Sequence, residues 1–150
     1  MNLPLARPPF GRSLRLGALA GTAYLAEMAL DMRLTHNRYD DLVLWGGFFS
    51  RSPIRQRVVG AIGHYGLSAA LAAGYGATEP LLPRGPAWAR GLFFTMAEHL
   101  LTFPTIVPGG RIHPSVRNGE LPSFATWQYF WVETARHVAF GLALGVFAAE

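Results

Sequence analysis

The chain has 150 residues, 51% of them hydrophobic and 13% aromatic, so it is one domain at most, and a bilayer is the expected solvent for so apolar a composition. It has no cysteine, which removes disulfides, thiolate metal sites, iron–sulfur clusters and cysteine nucleophiles; it also has no lysine, which removes a Schiff base and a Walker-type phosphate loop. The net charge of +4 comes from arginines that lie between apolar runs instead of clustering on one face, which argues against nucleic acid and for membrane-flanking positions.

In chain order, Met1 to Ser13 is a lead that Pro4, Pro8 and Pro9 keep out of helix. Leu14 to Met32 is the first expected span, rich in Ala, Gly and Leu, with Glu27 and Asp31 toward its end. Its apolar part, Leu16 to Ala26, has the length of a secretory leader's core, but a retained helix is expected because it gives the acidic end a partner in the remaining spans. Arg33 to Arg57 is too long for an idle turn. Asp40-Asp41 can cap a short helix there, Leu42 to Phe49, whose Trp45, Phe48 and Phe49 suit the headgroup region of a bilayer.

Val58 to Ala77 is the second expected span, with Gly60, His64, Ser68, Ala72 and Gly76 four apart on one face. After a proline-rich reversal, Ala87 to Val107 is the third, carrying Glu98 and His99, with Pro104 in its last turn and Pro108 just beyond. A Gly- and Pro-rich loop leads to the fourth, from Trp127 to Ala149, which holds Glu133, Arg136 and His137. His137, Gly141, Gly145 and Ala149 repeat the small-residue ladder, a pattern that lets two helices approach closely. Four segments of about 20 residues each match about 30 Å of hydrocarbon, and the expectation is an all-α membrane protein: an antiparallel four-helix transmembrane bundle.

Measured along the helices at about 1.5 Å per residue, Glu27, His64, Glu98, His99, Glu133 and His137 fall in one layer. Charged groups at such depth are costly and normally face a bundle interior. Glu133 and His137 stand one turn apart and, with Glu27, His64 and Glu98 or His99, offer four or five oxygen and nitrogen ligands, a set suited to a divalent metal such as zinc, iron or manganese. The di-iron bundle motif uses three-residue Glu-x-x-His spacing, and this chain has four. His64 and His137 beside glycines also offer the ligands of a b-type haem, and the same groups can relay protons with no cofactor. Against these stands a structural role, in which Glu133 pairs with Arg136 and each histidine hydrogen-bonds across helices.

The series Gly17-Ala18-Leu19-Ala20-Gly21, Asp40-Asp41-Leu42, Gly63-His64-Tyr65-Gly66, Arg90-Gly91 and His137-x-x-x-Gly141-x-x-x-Gly145 resembles small bacterial inner-membrane proteins of the YagU type. The resemblance covers most of the chain and implies four spans and placement in a bacterial inner membrane, with no activity attached. Glu27, the Glu98-His99 pair and Glu133 are not part of the shared pattern. The expected role is a membrane-embedded binding or accessory protein, alone, as a homo-oligomer or with a membrane-protein partner in the lipid bilayer. A metal-assisted membrane enzyme is the alternative.

Overall fold

A computed structural model describes residues 10–150. The expected proline-containing lead therefore lies outside the described residues over its first nine positions, and from Phe10 the chain is already helical. Six helices follow: α1 (Phe10–Thr35), α2 (Asp41–Gly46), α3 (Pro53–Thr78), α4 (Ala87–Gly110), α5 (Pro114–Arg117) and α6 (Trp127–Ala148), with a 3-10 turn at Glu79–Leu81 after α3. No strand occurs among the described residues.

Local chemistry sets several of these boundaries. Asp40 caps α2, its side chain accepting from the backbone N–H groups of Leu42 and Val43, as its place before the short helix leads one to expect. Thr126 caps α6 through the N–H of Tyr129, and Pro53 opens α3 at a position where a missing N–H costs nothing. α3 begins five residues before the apolar run because Arg55, Gln56 and Arg57 continue the helix without being apolar. α4 runs through Pro104 and Pro108 to Gly110. Each proline removes one ladder bond, and the hydroxyls of Thr102 and Thr105 donate to the carbonyls of Glu98 and Thr102 in the same stretch.

The four long helices stand in the order α3, α1, α6, α4, with α1 packed against both α3 and α6, and α6 against both α1 and α4. The α4–α6 seam is a backbone approach: a side chain at Gly91 would meet the backbone of Gly141 and Gly145, and one at Gly145 the backbone of Ala87 and Trp88. α2 lies across α3 in the same way, with Gly60 against the Leu42 carbonyl. The outer pair, α3 and α4, meet where Tyr75 packs edge-on against Phe94. Two apolar cores result, one around Leu16, Ala20, Tyr75, Phe140 and Leu144, the other around Tyr39, Leu121, Phe124 and Tyr129.

This architecture corrects the expectation of a transmembrane bundle. Among the described residues no helix is long and apolar enough to cross a membrane. Length is not what is missing, since α1 and α3 have 26 residues each, α4 has 24 and α6 has 22. Apolarity is: α1 carries Arg12, Arg15, Glu27, Asp31 and Arg33, and glycine, alanine and threonine dilute the rest. The basis for placing the chain as an integral protein of a bacterial inner membrane goes with it. Of the aromatic residues after Asp40, Trp45 and Phe48 line a cavity and Phe49 is exposed.

Candidate functional site

The polar layer between the two cores is built around Arg136, which is 0% exposed. Its Nε and Nη2 grip Asp31 of α1 in a bidentate pair, at 2.8 Å to Oδ2 and 3.0 Å to Oδ1. Nη1 donates to Asp41 Oδ1 of α2 at 3.3 Å and to Glu133 Oε1 at 3.1 Å, and Nη2 also donates to the Tyr39 carbonyl at 2.7 Å. All five N–H donors of the guanidinium are thereby used. The loop that delivers the Tyr39 carbonyl is fixed locally: His36 ends α1 with a φ of 55°, and Asn37 donates to Asp31 while accepting from the Tyr39 N–H.

Acid outweighs base around this cation. Tyr24 donates to Glu133 Oε2 at 2.8 Å, and Glu27 Oε2 lies 3.9 Å from Arg136 Nε without a hydrogen bond. Burial, with Asp41 nearby, outweighs the pull of Arg136 and pushes Glu133 up to about 8, which favours its neutral form. Burial and the neighbouring Asp31 raise Glu27 in the same sense. Burial disfavours the charged form of Arg136 as well, but Asp41 and Asp31 more than offset this and keep it a cation.

A second group lies where α4 meets α6. His137 donates from Nδ1 to the Glu133 carbonyl at 2.7 Å and turns Nε2 toward Glu98 Oε2 at 3.4 Å. Burial lowers its pKa, yet Glu98 and Glu133 prevail and raise it above the usual histidine value. His99, whose ring is tilted 35° against that of His137 with centroids 4.5 Å apart, is pushed the other way, to about 4, by burial and by the adjacent imidazolium. It stays neutral and donates from Nε2 to Thr134, whose own hydroxyl proton goes to the Phe130 carbonyl.

The six sequence candidates therefore do not form one centre. Glu27 and Glu133 belong to the Arg136 cluster, Glu98 and His137 form a pair, His99 is held by Thr134, and His64 donates from Nε2 to the Gly21 carbonyl at 3.0 Å. Among the described residues no three or more His, Cys, Asp or Glu side chains are arranged to hold a metal ion, which corrects the expectation of a divalent metal there. Nor do the residues fit a haem between His64 and His137. Both rings pack on Tyr24, at 5.1 and 5.6 Å, and the tyrosine occupies the space a porphyrin would need.

What the arrangement does enclose is a cavity of about 430 Å³ between α3 and α4, closed at one end by α2 and the loop around α5. Most of its wall is apolar, including Leu67 and Leu71 of α3, Ile106 of α4 and Phe140 of α6. Tyr24, Glu98, Glu133 and His137 supply a polar end. Two buried oxygens of wall residues, Glu98 Oε2 and the hydroxyl of Tyr129, have no hydrogen-bond partner. His113 holds the floor together: it donates from Nε2 to the Leu44 carbonyl of α2 and accepts at Nδ1 from the Ser115 N–H, capping α5.

Sequence reasoning missed Asp31, Asp41, Tyr24 and Tyr129. Asp31 was placed only toward the end of the first span, outside the Glu/His layer, although Tyr24, Glu27 and Asp31 repeat at helical spacing on one face. Asp41 follows an aspartate that alone suffices to cap α2, so the second acid was surplus to that role. No protein-family model, curated protein or solved structure matches the chain.

Proposed function

We propose that the protein binds a small molecule in the cavity between α3 and α4. The observation that carries this reading is the combination of an apolar chamber of about 430 Å³ with two buried oxygens in its wall, Glu98 Oε2 and the Tyr129 hydroxyl, that make no hydrogen bond within the chain. Small-molecule sites are typically concave, about 300–1,000 Å³, mostly apolar, and oriented by a few convergent polar groups. Buried polar atoms ordinarily have partners, and a ligand group supplies what the chain leaves out here. The separation of the Glu and His side chains into distinct hydrogen-bonded units favours binding over an enzyme built on a shared Glu/His centre.

The test fills the chamber. Phenylbutanol, a compact apolar probe with a neutral head, should saturate the wild-type protein with one-to-one stoichiometry in titration calorimetry. Leu71→Trp, which places a bulky side chain in the wall, should abolish that heat while leaving the helical circular dichroism intact. Equal binding by wild type and variant would place the probe elsewhere on the surface and refute the reading.

A further inference from the structure

Resting on the cavity as a ligand site, we propose that its occupant is an organic cation: an ammonium head on a compact apolar body, with the head seated at Glu98 and Tyr129.

The two unpartnered groups set the requirement. Glu98 Oε1 accepts from the Thr102 hydroxyl at 3.2 Å, whereas Oε2 has His137 beside it at 3.4 Å but no aligned hydrogen bond. Tyr129 is 1% exposed, and its hydroxyl oxygen is also without a partner. A carboxylate oxygen only accepts, and a phenol oxygen accepts as well as donates, so the complementary head is rich in donors. An ammonium has three donors and no acceptor; a carboxylate head has none to give at neutral pH.

The charge around the polar end points the same way. With the neutral form of Glu133 favoured by burial, Asp31, Asp41, Glu27 and Glu98 still stand against the two basic groups Arg136 and His137. An anionic head would add to an existing acid excess, while a cation offsets it. The direct pairing of Arg136 with Asp31, Asp41 and Glu133 uses up its donors, so the arginine has none left for an anion. Aromatic faces complete the fit, because Tyr24, Trp45, Phe124, Tyr129 and Phe140 all line the chamber. An ammonium over such faces gains cation–π attraction, and the apolar body gains burial. Since no three ligating side chains converge among the described residues, an organic cation fits better than a bare metal ion.

The experiment compares three probes with the same body, phenylbutylamine, phenylbutanol and phenylbutyrate, by titration calorimetry against the wild-type protein at neutral pH. The amine should bind about tenfold tighter than the alcohol or better, and the carboxylate should bind most weakly, as a charge-assisted contact requires. Glu98→Gln keeps the side chain's shape and should bring the amine down to the affinity of the alcohol for the same variant. Tyr129→Phe should weaken the amine by about three- to tenfold, and serves as the second variant if the first does not fold. An alcohol or a carboxylate that binds as tightly as the amine would overturn the cation and leave the cavity reading standing. Binding by none of the three would overturn both.

Discussion

Arg136→Met is the most direct probe of the polar layer. The substitution keeps an unbranched side chain of similar reach but removes five donors from a position that is 0% exposed. Asp31, Asp41, Glu133 and the Tyr39 carbonyl would each lose a partner at once. Breaking a buried ion pair from one side costs about 3–5 kcal/mol, a large part of the roughly 5–15 kcal/mol that holds a domain together. At about 2–4 °C per kcal/mol for a chain of this size, the melting temperature should fall by about 6 to 20 °C. Arg136→Lys should also fail to restore it, because three donors on a flexible stem cannot reproduce the bidentate fork on Asp31. The assay is urea unfolding followed by far-ultraviolet circular dichroism. Asp31→Asn combined with Arg136→Met should cost less than the two single changes added together, by up to about 3 kcal/mol. An unfolding free energy for Arg136→Met within about 0.5 kcal/mol of wild type would mean that the guanidinium is not the centre of the layer.

Three further outcomes are expected. Glu133 has its pKa raised from 4.5 to about 8 by the fold, so its stabilising contribution is complete below the ordinary value and is lost as pH rises through about 8; Glu133→Gln should flatten the decline of melting temperature with pH over that window. In histidine NMR titrations His137 should protonate above the ordinary value, and His99 should stay neutral until about pH 4; a reversed order would contradict the pairing of His137 with Glu98 beside a buried His99. Gly141→Leu should lower the melting temperature, since even its first carbon would crowd the Thr95 hydroxyl and lie 2.9 Å from the Leu92 Cα, whereas Gly66→Ala, with nothing within 4 Å of the added carbon, should be neutral or stabilising by up to about 1 kcal/mol.

Local signals in the sequence carried far, and medium and partnership did not. The capping aspartate before α2, the proline-rich reversal before α4 and the starts of α4 and α6 at Ala87 and Trp127 were all legible because each depends on a few adjacent residues. Helix starts went wrong where residues outside the apolar run extended a helix, as Arg55, Gln56 and Arg57 do for α3 and Gly11, Arg12 and Ser13 do for α1. The bilayer was inferred from overall apolar content, but alanine raises that count with less hydropathy than leucine or isoleucine, glycines dilute the runs without entering the count, and the charges on α1 break its run. The pairing within α6 of Glu133 with Arg136 was foreseen from their spacing. The stronger partner, Asp31, is 105 residues away in sequence, and periodicity holds no information about a contact of that range. The same limit explains why depth along each helix suggested a single Glu/His centre: axial position says nothing of which way a side chain turns. His64 turns toward the Gly21 carbonyl and His137 toward Glu98.

The closure of the Arg136 cluster also bears on how the chain comes together during synthesis. Asp31, Tyr39 and Asp41 emerge about 100 residues before the arginine that unites them, with separations of 105, 97 and 95 residues. Until α6 arrives, the α1–α2 corner holds two aspartates and a backbone carbonyl that must remain hydrated, since burying them without a cation is costly. The first three helices can therefore associate along their glycine contacts yet cannot dry out at that corner. Sequestration from water becomes a late event, timed by the emergence of α6, and a nascent chain halted before residue 127 should leave the α1–α2 corner open to hydrogen exchange.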